Sequence, residues 1–163
     1  MDVQIRKIAW GAPKNIIAYH STKVGGWSNG VFESSNMSLD VGDNPKDVKK
    51  NRDSMIKQLN LNAKPVFMKQ IHSAIVRVAK SPSDNLVCDS CYTSVKGLPL
   101  AVLSADCLPI LISSSDGNKI GVIHAGWRGL ASGIIQKFLK RFGGDPKDIV
   151  VWIGPSINPE NYI

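Results

Sequence analysis

The sequence predicts an α+β fold, a layered sandwich of mixed β-sheet flanked by helices. Apolar runs of strand length recur at residues 98–104, 119–124 and 148–153. Two other stretches carry helical periodicity with recognisable ends, at residues 45–59 and 129–142. Strands and helices mix without the regular alternation of a doubly wound parallel sheet. The 163 residues suit one domain, taken as residues 1–163.

Composition narrows the class. Hydrophobic residues make up 43% and charged residues 20%, an ordinary globular balance that excludes a disordered chain or a coiled coil. No run of about 18 apolar residues occurs, so no membrane partner is expected. The first twenty residues lack the continuous apolar stretch of a secretory signal, which makes the cytoplasm the expected location. Twenty Lys and Arg against 13 Asp and Glu give a formal charge of +7, which favours anions. The densest basic groups are Lys46, Lys49, Lys50 and Arg52, then Lys137, Lys140 and Arg141. Neither has the interleaved aromatics of a single-strand binder, so a small-molecule partner is expected and nucleic acid is not.

Along the chain, residues 3–10 and 15–20 read as short strands around Gly11-Ala12-Pro13. Residues 21–44, rich in Ser, Gly and Asn, read as a long loop, a kind of segment that often carries function. Asn44-Pro45 begins the first helix: Asn44 suits the N-cap, Pro45 the first turn, and Asp47 the positive end of the dipole. Its apolar stripe is Val48, Met55, Ile56 and Leu59, and Arg52 falls inside that stripe. A guanidinium there either snorkels to water or stands at a cleft to hold an anion. Residues 65–79 read as strands broken near Gln70-Ile71-His72-Ser73. Ser113–Asn118 reads as a polar turn ahead of the strand at 119–124. In the second helix Leu130, Ile134, Phe138 and Phe142 share a face, and Gly143-Gly144 ends it.

The chain has three cysteines, Cys88, Cys91 and Cys107, and three histidines, His20, His72 and His124. Ser104-Ala105-Asp106-Cys107 closes one expected strand and His124-Ala125-Gly126-Trp127-Arg128-Gly129 closes the next, so Cys107 and His124 can meet on one rim. His72 follows a third strand and can join them. Two His and one Cys suit zinc with a fourth position left for water or substrate. The same residues permit other readings: a cysteine hydrolase in which His124 activates Cys107, a copper centre for phenol oxidation, or a non-catalytic metal-binding module. Three histidines in all cannot also furnish a multinuclear copper cluster. Cys88 and Cys91 form a CxxC without a second pair or a thioredoxin-like surround, and read as incidental thiols.

Gly25-Gly26-Trp27-Ser28, Ser35-Asn36-Met37-Ser38-Leu39, Val41-Gly42-Asp43, Asn51-Arg52, Gln70-Ile71-His72-Ser73, Ala105-Asp106-Cys107-Leu108-Pro109 and the His124–Gly129 segment occur in this order. Together they resemble the YfiH/YlmD family, once labelled laccase-domain proteins or polyphenol oxidases and now described as purine nucleoside phosphorylases. The resemblance covers nearly the whole chain. It implies a fold similar to that of the cysteine deamidase toxins and a zinc site of His72, Cys107 and His124. Phosphorolysis of purine nucleosides is the implied activity, with adenosine deamination and methylthioadenosine cleavage beside it. It also implies a nucleoside and phosphate cleft to which Asn36 and Arg52 contribute. The chain departs from the family at Asp40, where relatives often carry His. Family members are longer, so the resemblance implies that the usual C-terminal third lies outside these residues.

Overall fold

The computed structural model describes residues 2–162, which form two compact units. The first takes the chain as far as residue 9 and residues 17–62. The second takes residues 10–16 and everything from residue 63.

In the first unit, β1 (Ile5–Lys7) pairs antiparallel with β2 (Tyr19–Ser21), Arg6 standing opposite His20. These strands are shorter than the expected ones. The helix α1 (Pro45–Gln58) begins as expected, with the Asn44 side chain accepting a hydrogen bond from the backbone N–H of Lys46. The segment between β2 and α1 has one short 3-10 turn, Gly30–Phe32. Buried polar side chains hold it to the helix. Asn51 donates to the Ser28 hydroxyl at 3.0 Å and to the Asn36 carbonyl at 2.7 Å, and accepts from the Trp27 N–H at 2.8 Å. A long loop with so many backbone groups stays ordered because partners like these replace water.

The second unit contains β3 (Val66–Lys69), β4 (Val76–Val78), β5 (Ser83–Val87), β6 (Ser90–Thr93), β7 (Leu100–Ala101), β8 (Leu108–Ser114) and β9 (Ile120–Ala125). Two helices, α2 (Trp127–Ala131) and α3 (Ile134–Phe142), and a last strand, β10 (Ile149–Ile153), complete it. The expected helix over 129–142 is broken in two because Gly133 sits at φ 75, in the left-handed region that ends helices. Five strands form a sheet in the order β10-β8-β9-β6-β4, and three form a second sheet in the order β5-β3-β7.

Side-chain alternation gives the five-stranded sheet two apolar faces. Ile110, Ile112, Ile123 and Ala125 pack on one side against Ile134, Phe138 and Phe142 of α3. Cys91, Val122 and Leu111 point the other way and pack with Val66 and Met68 of the small sheet. The expected layering of mixed sheet with flanking helix is therefore present.

Candidate metal centre

The second unit brings His72, Cys107 and His124 together. Their nearest ligand atoms all lie within 4.8 Å of one another. The ladder explains two of the three. β8 and β9 are antiparallel with Leu108 opposite Ala125, so Cys107 at the entry to β8 faces the chain leaving β9 at Gly126. Cys107 thus opens a strand, where the sequence suggested that it closes one. His124 is the penultimate residue of β9, on the side opposite Ile123 and Ala125. His72 comes from the connection between β3 and β4. Gln70 ties that connection to the Cys107 loop, donating to the Leu103 carbonyl and accepting its N–H, both at 2.8 Å. Ser104 closes the same loop by donating to the carbonyl of Cys107.

Asp89 organises the centre. It lies just before β6, fully buried, and its backbone carbonyl accepts the N–H of His124 at 2.7 Å. Its side chain accepts from the backbone N–H groups of His72 at 2.9 Å and Ser73 at 2.6 Å, and from the Ser73 hydroxyl at 2.7 Å. It also meets His124 Nδ1 at 2.9 Å. Burial works against the charge, but hydrogen bonds from His124, Ser73 and His72 outweigh it and hold the carboxyl down at about 2. An ionised Asp89 requires the proton on Nδ1 of His124, which leaves Nε2 with its lone pair for a metal. The same hydrogen bonds keep His72 at φ 58, an uncommon conformation for a non-glycine residue.

The space between the three side chains depends on Gly126. A Cβ there would lie 3.0 Å from Cys107 Sγ, 3.2 Å from His72 Cδ2 and 3.8 Å from His124 Cε1. The two imidazoles meet edge to face, centroids 4.9 Å apart. His124 is buried, Cys107 half-buried and His72 exposed, so the group opens to solvent on the His72 side. Tetrahedral zinc bonds of about 2.0–2.3 Å need only a modest contraction of this set, and two imidazole nitrogens with one sulfur suit zinc or copper alike. The residues fit a metal ion. Burial, followed by the nearby Asp106 carboxylate, raises the Cys107 thiol above its ordinary range. That works against Cys107 as a free nucleophile, because attack requires the thiolate.

The other two expected site residues belong to the first unit. Arg52 is buried, not snorkelling, and its Nε donates to the Met37 carbonyl at 2.8 Å. Asn36 makes a local turn: its amide donates to the Ser38 carbonyl at 3.0 Å and Asp43 Oδ2 at 2.9 Å, while its oxygen accepts the Ser38 N–H at 2.9 Å. Cys88 and Cys91 are both fully buried among Val66, Met68, Leu98 and Val122. Burial pushes the Cys88 thiol up to about 11 and raises Cys91 as well. Sequence reasoning passed over Asp89, Gln70 and Gly126 as parts of the centre. The first stands inside the CxxC segment, where the thiols drew attention to themselves.

The family model described as multi-copper polyphenol oxidoreductase laccase matches residues 17–163. A purine nucleoside phosphorylase of Haemophilus influenzae is 39% identical over 153 residues, covering 94% of this chain and 63% of that protein. Purine nucleoside phosphorylase YlmD of Geobacillus stearothermophilus is 38% identical over 166 residues, covering 91% of this chain and 61% of that protein. The crystal structure of Neisseria meningitidis protein NMB0706 superposes with a TM-score of 0.86 at 32% identity, over 97% of this chain and 65% of that one. The chain therefore spans a little over three fifths of the length of the relatives it matches.

Proposed function

Because the chain belongs to the family described as multi-copper polyphenol oxidoreductase laccase, with relatives named purine nucleoside phosphorylases, we propose that it serves a zinc-dependent purine nucleoside phosphorylase. The reaction is adenosine plus phosphate to adenine plus ribose 1-phosphate, with adenosine deamination and methylthioadenosine phosphorolysis as further activities. The observation that carries the zinc reading is the convergence of His72, Cys107 and His124 around Gly126, with Asp89 fixing the tautomer of His124.

When bound, the metal supplies Lewis-acid polarisation of an oxygen or activation of water. The chain's own residues do the rest. Asp89 holds the Nδ1 proton of His124, which orients that imidazole, and the backbone of His72, which places the residue that carries the second one. Cys107 would hold a metal as its thiolate, giving up the thiol proton. Arg52, oriented through its Nε by the Met37 carbonyl, is proposed to bind phosphate, and Asn36 the nucleoside.

The test is metal analysis of the protein purified without added metal, then assay of phosphate-dependent adenine release. About one zinc per chain, lost together with activity in Cys107→Ser, is the expected result. Copper in its place, or adenine release that needs neither metal nor phosphate, overturns the proposal. Arg52→Ala is expected to weaken phosphorolysis more than deamination, since deamination takes water, and Arg52→Lys to restore it in part. An equal fall in both activities would make Arg52 a structural residue.

A further inference from the structure

A polar metal-ligand group with an apolar rim calls for a ligand that is polar at one point and flat and apolar beside it. Three exposed apolar side chains neighbour this group in sequence and in the fold. Ile71, directly before His72, is 46% exposed; Trp127, directly after Gly126, is 56% exposed; Leu130 is 42% exposed. The chain has three other tryptophans, Trp10, Trp27 and Trp152, and all are half-buried.

The path of the chain brings Trp127 next to the group. Gly126 lies against Cys107 and His72, and Gly129, three residues on, lies with its Cβ position 3.0 Å from the Ser73 carbonyl. Residues 126 and 129 therefore face the trio and the loop that carries His72. Trp127, the first residue of α2, follows the extended Gly126 directly, and Leu130 follows Gly129 about 100° further round the helix. The Arg128 guanidinium sits over the indole ring, Cζ 4.6 Å from its centroid. A cation on one face restrains the ring and leaves the other face for a second planar partner.

We propose that Trp127, backed by Arg128, is the platform on which the heteroaromatic base of the substrate stacks beside the His72–Cys107–His124 group. This rests on the nucleoside reading above and names the residue that recognises the base. It is a binding role, separate from the metal and from the groups at the reacting carbon.

The experiment is equilibrium dialysis of adenosine and, separately, of base-free ribose 1-phosphate against the full chain and three variants, with far-UV circular dichroism as the fold control. Stacking of a base on an aromatic side chain predicts about tenfold weaker adenosine binding in Trp127→Ala, with ribose 1-phosphate affinity unchanged. Trp127→Phe keeps a ring face and stays near the wild type. Trp127→Leu keeps apolar bulk without a ring face and behaves like the alanine variant. Adenosine binding unaltered in folded Trp127→Ala overturns the platform and leaves the nucleoside reading standing. An equal loss for ribose 1-phosphate overturns it too, since a platform for the base cannot affect a sugar phosphate. Wild-type protein that binds ribose 1-phosphate but no adenosine removes the nucleoside reading and the platform together.

Discussion

Gly126 offers a test of the centre that leaves the backbone alone. Its φ of −71 and ψ of 161 are ordinary extended values, so alanine enters without conformational strain. The added methyl would meet Cys107 Sγ at 3.0 Å and His72 Cδ2 at 3.2 Å. Gly126→Ala is expected to lower zinc affinity at least about tenfold, a loss typical of a disturbed ligand set, while the far-UV spectrum stays unchanged. Zinc titration against a competing chelator reads this. Asp89→Asn asks a different question. The amide is nearly isosteric, yet it replaces one acceptor oxygen by a donor facing the N–H groups of His72 and Ser73 or Nδ1 of His124. Leaving a buried donor without its acceptor costs about 1–3 kcal/mol. Urea unfolding is expected to show that loss even without metal, and metal binding falls with it.

At the level of elements, α3 packs closely on the five-stranded sheet. Gly121 in β9 stands under Phe138, and a Cβ there would lie 2.3 Å from the tip of the ring. Gly121→Ala therefore forces the helix outward or Phe138 off its rotamer, an overpacking cost of about 1–3 kcal/mol. A lowered urea midpoint with unchanged slope would be the signature. Elements with strong local signals were legible in the sequence: α1 through Asn44, Pro45 and its stripe, α3 through Phe138, Phe142 and Gly143, β9 and β10 through apolar runs. β5, β6 and β8 were missed, the last although residues 108–112 are apolar but for Pro109. Ser83–Val87 lacks a clear apolar alternation, and Ser90-Cys91-Tyr92-Thr93 is polar in composition though largely buried. Such strands are set by pairing with β3, β4 and β9, contacts that no local window contains. The metal trio was legible as three residue types at expected strand ends and through the family resemblance. Its organiser was not, because nothing in the sequence marks Asp89 as a buried acceptor of hydrogen bonds from both His72 and His124.

For the whole molecule, stability should decline in acid for a traceable reason. Asp89 titrates at about 2 in the folded chain against 3.8 for a free carboxyl. Its contribution, about 2 kcal/mol, is complete above the unfolded value and disappears as pH falls through the folded one. Asp43 in the first unit is lowered as well: burial opposes its charge, while Asn36, Ser28 and the Asn44 N–H favour it. The metal-free protein should thus lose melting temperature between about pH 4 and pH 2, and Asp89→Asn should lose less over that range. The buried thiols supply a contrast. Replacing Cys88 and Cys91 together with Ala is expected to cost about 1–2 kcal/mol through lost packing and to leave the zinc content as it was. Loss of one equivalent of metal would place them in the centre after all.

The Asp89 clamp also dictates an order of events. Its partners are remote in the chain, His72 by 17 residues and His124 by 35. In the unfolded chain no short peptide holds two of the three ligands, so this site is not preformed there and an ion held by the folded chain adds to its stability. The ligands meet only when β6 has paired with β9 and the segment after β3 has closed onto the aspartate. If the three ligands bind zinc only once assembled, zinc added during refolding should leave the folding rate unchanged and slow unfolding.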